Sequence, residues 1–189
     1  MTVSRRHLLL FALLAAPVVL TGCRVQPLYG SFNPVGPSES YQSEEDLRAI
    51  RIQPIPNRVG QQVHNALRNE LTPSGQPSNP AYTLTTTIEE SIGERLLATD
   101  ATATRAQLRL RARYTLSLTA NGTQLASGNA TAISAYDIVE TEYATHRAEL
   151  DARARGAEEV ARQIRTRLAS WFIEARADGT LARKLYIGE

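Results

Sequence analysis

The side chains with most chemistry to offer in this chain are arginines. Arg109, Arg111 and Arg113 recur at strict i,i+2 spacing, with Arg105 just ahead of them. On a β-strand that spacing projects side chains from one face about 7 Å apart. At that pitch guanidinium forks can grip phosphates or carboxylates bidentately. The same row also fits a solvated sheet face balanced by Glu89 and Glu94 on a neighbouring strand, and the two readings stand side by side. Lys184 is the sole lysine, so an anion contact on this chain falls almost entirely to guanidinium groups.

Catalytic groupings are scarce. Beyond the N-terminal leader the histidines are His64 and His146. His146 and Glu149 lie one helical turn apart, but no third ligand accompanies them, and a zinc site needs three or four. They read as decoration of a helix start. No Gly-x-Ser-x-Gly elbow and no phosphate-cradling glycine loop is present. Asn121-Gly122-Thr123 and Asn129-Ala130-Thr131 match glycosylation acceptors in form only. The expectation is a protein that is not an enzyme, with no catalytic residue and no metal.

A different chemistry sits at Cys23. Arg5 and Arg6 precede an apolar run from Leu8 to Leu20, broken only by Pro17, that ends in Leu20-Thr21-Gly22-Cys23. A basic start, a short apolar middle and small residues before the cut describe a bacterial secretory signal peptide. The run supplies 13 residues, short of the roughly 20 a spanning helix needs. Its ending resembles the lipobox of bacterial lipoproteins, which implies that Cys23 receives an N-acyl diacylglycerol and becomes the new N-terminus. No other cofactor is expected. Cys23 is the only cysteine, so the mature chain has neither a disulfide nor a thiolate metal site. Two or more acyl chains anchor a protein stably where one does so only marginally. Arg24, where an aspartate would suggest inner-membrane retention, favours the outer membrane by resemblance to known sorting behaviour. Ser4-Arg5-Arg6 matches a twin-arginine signal in part, which leaves the export route open.

Charge must be read on the mature chain. Of 21 basic residues Arg5 and Arg6 leave with the leader, so 19 remain against 19 acidic ones. Bulk charge therefore gives no support to a nucleic-acid partner. The uncharged run from Tyr114 to Tyr136 is long enough to span a membrane but is filled with Thr, Ser, Asn and Gly.

The elements that must position the arginines follow from periodicity. Residues 1–22 read as the signal peptide and 23–46 as the lipidated cysteine and an extended, Pro- and Gly-rich tether. Residues 47–176 form the folded domain, and 177–189 a poorly ordered tail. Leu47 to Ile55 alternates as a strand stopped by Pro54 and Pro56. Gly60 to Leu71 carries Val63, Ala66, Leu67 and Leu71 on one helical face, and Thr72 to Pro80 is a loop. Tyr82, Leu84, Thr86 and Ile88 share one face of a second strand. In the third strand Ala106, Leu108, Leu110, Ala112, Tyr114, Leu116 and Leu118 oppose the arginines. Asn121-Gly122 predicts a two-residue type I′ turn, and Gly128 a bulge in the return strand. His146 to Ala175 predicts a closing helix with a stripe of Leu150, Ala154, Ala157, Ala161, Ile164, Leu168, Trp171 and Ala175. Pairs Asp151–Arg155 and Glu158–Arg162 are expected on its other side. The order β-α-β-β-β-α predicts an α+β two-layer sandwich. Its four-stranded sheet is mainly antiparallel, with two helices packed on one face.

With those residues in place, the chain resembles the LPS-assembly lipoprotein LptE family. The resemblance rests on the lipobox cysteine followed by Gln26-Pro27-Leu28-Tyr29, and on Arg58-Val59-Gly60-Gln61-Gln62-Val63-His64-Asn65-Ala66-Leu67. It also rests on the hairpin at Asn121-Gly122, and on Tyr143-Ala144 with Glu149-Leu150-Asp151-Ala152-Arg153. It implies an outer-membrane lipoprotein, lipid-anchored with its domain on the periplasmic side or within a barrel lumen. Such a protein plugs and helps assemble an LptD-like β-barrel and binds lipopolysaccharide. Arg105, Arg109, Arg111 and Arg113 are then candidates for contact with lipid A phosphates or with the barrel wall. An auxiliary lipoprotein of an ABC-type phospholipid transport system and a peptidoglycan-binding envelope lipoprotein are the alternatives.

Overall fold

The structure is a computed structural model and describes residues 39–96 and 104–186. Cys23 and the leader lie outside the described residues. The elements run α1 (Glu39–Arg48), β1 (Ile50–Ile52), α2 (Asn57–Leu71), β2 (Tyr82–Leu96), β3 (Thr104–Leu118), β4 (Gln124–Ile138), α3 (Glu142–Ala177) and α4 (Thr180–Tyr186). The four strands form one sheet in sequence order. The sheet is mixed, with β1 parallel to β2 and the remaining neighbours antiparallel. A parallel pair needs a crossover between its strands, and α2 supplies it.

Alternation in β3 places Leu108, Leu110, Ala112, Tyr114, Leu116 and Leu118 in the core, all buried. Val63, Leu67 and Leu71 of α2 join the same core, as do Ala157, Val160, Ala161, Ile164, Leu168 and Phe172 of α3. Helices and core thus lie on one face of the sheet, as the α+β sandwich expectation has it.

Several local readings are corrected. The first strand is three residues long, and Leu47 belongs to α1, buried at its C-terminal end. The stretch read as extended through Asp46 is helical from Glu39, because Asp46 and Leu47 have tertiary partners that a local period cannot reveal. The stretch from 180 to 186, read as part of a poorly ordered tail, is helical, and its Leu181 is buried.

Gly122 has φ +74°, but Asn121 does not share a positive φ, so the hairpin turn is not type I′. Leu118 and Thr123 close a longer loop (N–H to O 2.9 Å), and the Gly122 N–H donates to the Leu118 carbonyl at 2.9 Å. The register shift falls between Leu116 and Ser117, opposite Leu125, and Gly128 pairs in step with Tyr114. Gly128 is needed for a different reason: a Cβ there would lie 2.6 Å from the Tyr114 hydroxyl.

α3 begins at Glu142, and its buried face is rotated from the expected stripe. Phe172 is fully enclosed, whereas Trp171 is only half-buried. The helix touches β3 and β4 on one side and α1 and α2 on the other, so its buried sector is wider than a single stripe. Asp151 pairs with Arg155 as expected, while Arg162 bonds Glu159 at 2.7 Å.

Candidate functional site

The face of the sheet away from the helices carries the arginines. With Leu108, Leu110 and Ala112 turned inward, the intervening Arg109, Arg111 and Arg113 must turn outward, and all three are exposed, as is Arg105. No described helix covers this face, which is completed by Thr85, Thr87, Glu89 and Ser91 from β2 and by Asn129, Thr131 and Ile133 from β4.

Cross-strand register decides which arginines are already engaged. Arg113 bonds Glu89 at 2.8 Å, a diagonal contact, since Glu89 stands directly opposite Arg111. Arg105 faces Asp137 across β4, 3.7 Å away. Among the described residues neither Arg109 nor Arg111 has an ion-pair partner. Arg109 lies between Ser91 and Ile133, Arg111 between Glu89 and Thr131. The expected four-membered row therefore divides into two paired ends and an unpaired centre. Glu94 stands opposite Ala106 in the backbone register, three positions beyond Ser91, the partner of Arg109. A depression of about 270 Å³ opens here, lined by Glu89, Glu90, Ser91, Arg109 and Arg111. Ile133, 56% exposed beside Arg109, adds an apolar contact that the arginine spacing alone does not signal.

Glu90 points to the helix side. Arg153 of α3 donates to it at 2.9 Å and to Glu149 at 2.5 Å. Burial works against the Arg153 charge, but hydrogen bonds and charges from Glu90 and Glu149 outweigh it and raise its pKa. His146 lies 3.9 Å from Glu149, and among the described residues no cluster of His, Cys, Asp or Glu is placed to hold a metal ion. His64 serves the fold: its Nδ1 lies 3.2 Å from the Gln53 carbonyl. Among the described residues of this face the exposed chemistry is that of guanidinium groups, which can pair with anions.

A second set of polar contacts has no signal in local sequence. Gln163 of α3 brackets Thr131 at the outer edge of β4, accepting from its N–H at 3.2 Å and donating to its carbonyl at 3.1 Å. Arg167 donates to the Asn129 carbonyl and Arg155 to that of Ala135. On the opposite side of the sheet Gln76 brackets Ile52 in the same two-point way, at 3.3 and 3.4 Å. Each carboxamide stands in for an absent neighbouring strand.

The family model described as LptE, lipopolysaccharide-assembly, matches residues 47–168. No curated protein sequence matches the chain. Among solved structures, a lipoprotein of Caulobacter crescentus CB15 is similar at 25% identity and a TM-score of 0.59, covering 69% of this chain and 96% of its own. A minor lipoprotein of Acinetobacter baumannii is 19% identical with a TM-score of 0.49, covering 64% and 90%. Among the described residues no helix is long and apolar enough to cross a membrane.

Proposed function

The chain belongs to the LptE lipopolysaccharide-assembly family, and from that premise we propose that it plugs an LptD-like β-barrel, helps that barrel assemble, and binds lipopolysaccharide in transit. It is held at the outer membrane by a lipidated Cys23. Arg109 and Arg111 make the anionic contacts, while Arg105 and Arg113, already paired with Asp137 and Glu89, hold the charged face in shape. The observation that carries this reading is the sheet face, uncovered by any described helix, with two exposed guanidinium groups that have no ion-pair contact among the described residues. A barrel lumen is polar and water-filled, so a polar, flat, charged surface suits a plug. Two guanidinium forks without carboxylate partners suit phosphate or carboxylate groups.

The test begins with affinity recovery of a C-terminally tagged chain from detergent-solubilised outer membranes. A stoichiometric barrel protein is expected. Recovery of the lipoprotein alone, or with inner-membrane permease subunits, overturns the plug reading. The Arg109→Glu/Arg111→Glu double variant should then lose about tenfold or more in lipopolysaccharide binding or in barrel recovery. If both survive charge reversal, the assigned role of the two arginines is wrong.

A further inference from the structure

The sheet has three places where a strand edge could be left open, and the described residues close only two of them. The outer edge of β4 is bracketed by Gln163, with Arg155 and Arg167 on flanking carbonyls. The outer edge of β1 is bracketed by Gln76. β2, however, is 15 residues long and β1 only three. The β1 register covers Tyr82 to Leu84, and one further bond runs from the Gln53 N–H to the Leu84 carbonyl at 2.9 Å. Pro54 then ends the pairing, since proline has no N–H to offer.

Leu84 fixes which groups are left over. Its carbonyl points away from β3, so the residues in step with it do the same. The β2–β3 register runs without interruption from Tyr82 to Leu96, which keeps Ile88, Glu90 and Ile92 in that phase. Their N–H and C=O groups face outward, and among the described residues none has a hydrogen-bond partner. Natural sheets usually blunt such an edge, as this one does at its other two.

We infer that the free edge of β2 from Ile88 to Ile92 is a strand-addition site, filled by an extended segment of the barrel partner. The identity of that partner rests on the proposed function. The side chains flanking the edge state what the added strand must carry. On the helix side Ile88 is half-buried and Ile92 is 43% exposed, so the incoming strand presents aliphatic side chains there. On the other side lies the depression at Glu89, Ser91, Arg109 and Arg111. Glu89 is neutralised by Arg113 and Glu90 by Arg153, which leaves the two arginines as its uncompensated charge, so the strand presents a carboxylate there. A second copy of this chain fits poorly. Its edge carboxylates, Glu89 and Glu90, are already paired with Arg113 and Arg153, so it offers Arg109 and Arg111 no free carboxylate.

Residue-resolved amide exchange on the full mature lipoprotein, free and in the barrel complex, tests this. In the free protein the amides of Ile88, Glu90 and Ile92 should exchange fast, while those of Glu89 and Ser91 are protected by β3. In the complex the three outward amides should slow about a hundredfold or more, erasing the alternation. A complex that forms with the alternation intact overturns strand addition and leaves the plug reading standing; absence of any barrel in the recovery overturns both. As a second arm, Ile92→Pro removes one outward donor without touching the β3 ladder. It should lower barrel recovery about tenfold relative to Ile92→Ala, with the circular dichroism of the free chain unchanged. Equal recovery of the two variants refutes the inference.

Discussion

Asp46→Asn is the substitution that best probes how α1 is fixed to the domain. Asp46 is 7% exposed and accepts three hydrogen bonds: from Arg176 Nε at 2.9 Å, from Arg176 Nη2 at 2.6 Å, and from the Tyr82 hydroxyl at 3.2 Å. The three residues come from α1, β2 and the last turn of α3. Hydrogen bonds to charged groups contribute about 1.5–3 kcal/mol each. The Arg176 side chain is 35% exposed, and solvent screens its share. We therefore expect a loss of roughly 2 kcal/mol at neutral pH, read as a lower urea midpoint.

The same variant moves a titration. The Tyr82 pKa is pushed up to about 12, first by burial, then by the Asp46 charge and its hydrogen bond, against an opposing pull from Arg176. The folded state thus holds the phenolic proton more tightly than the unfolded chain, whose tyrosine titrates near 10. Stability from this group is fully present below pH 10 and falls as pH rises from 10 to 12. At about 1.4 kcal/mol per unit the loss is on the order of 2–3 kcal/mol. In Asp46→Asn, tyrosinate absorbance assigned by difference from Tyr82→Phe should show the Tyr82 pKa falling while staying above 10, because burial remains. A stability loss below about 0.5 kcal/mol together with an unmoved Tyr82 titration would refute this account of the contact.

Gly128→Ala should cost about 1–3 kcal/mol, since the new Cβ meets the buried Tyr114 ring at 2.6 Å from its hydroxyl and 2.8 Å from Cζ. In a Tyr114→Leu background the cost should shrink, as a double-mutant cycle by urea unfolding would record; an equal cost in both backgrounds would point to backbone strain instead. Gln163→Leu should leave the monomer folded but expose the Thr131 backbone at the β4 edge, so light scattering should show faster self-association on mild heating than in wild type.

Legibility from sequence followed the range of the interactions. Clean alternation from Arg105 to Leu118 is a property of neighbours in the chain, so the outward arginines and the buried face of β3 could be read directly. Their division into an unpaired centre and paired ends could not, because it depends on the register that sets Glu89 opposite Arg111 and Asp137 opposite Arg105. The helical turns of α1 were missed for a related reason. Asp46 gains partners more than thirty residues away and Leu47 is buried in the core, while local composition with its prolines and serines points the other way. Gly128 illustrates the same limit from the opposite side: glycine in a strand suggests a bulge, but here a cross-strand tyrosine occupies the space where Cβ would be.

The edges carry the argument one step further. Under the proposed function the domain works among barrel strands that are still pairing, where an edge without side-chain selectivity would join them indiscriminately. Gln76 and Gln163 each present a carboxamide, which has the donor and acceptor of a peptide group on a side chain that cannot propagate a sheet. They satisfy an exposed backbone pair while ending the ladder there. Both brackets span long sequence separations, 24 residues for Gln76 and 32 for Gln163, and each forms only once the helix or loop that holds it is docked. Closure of these edges is therefore coupled to completion of the fold, whereas among the described residues nothing pairs with the β2 edge from Ile88 to Ile92. An edge left open by incomplete folding would be expected on the last strand to dock, not on β2, whose β3 neighbour is paired along all 15 of its residues. The opening on β2 comes instead from Pro54 and Pro56, which cut β1 short, and that is a feature of sequence that selection can keep.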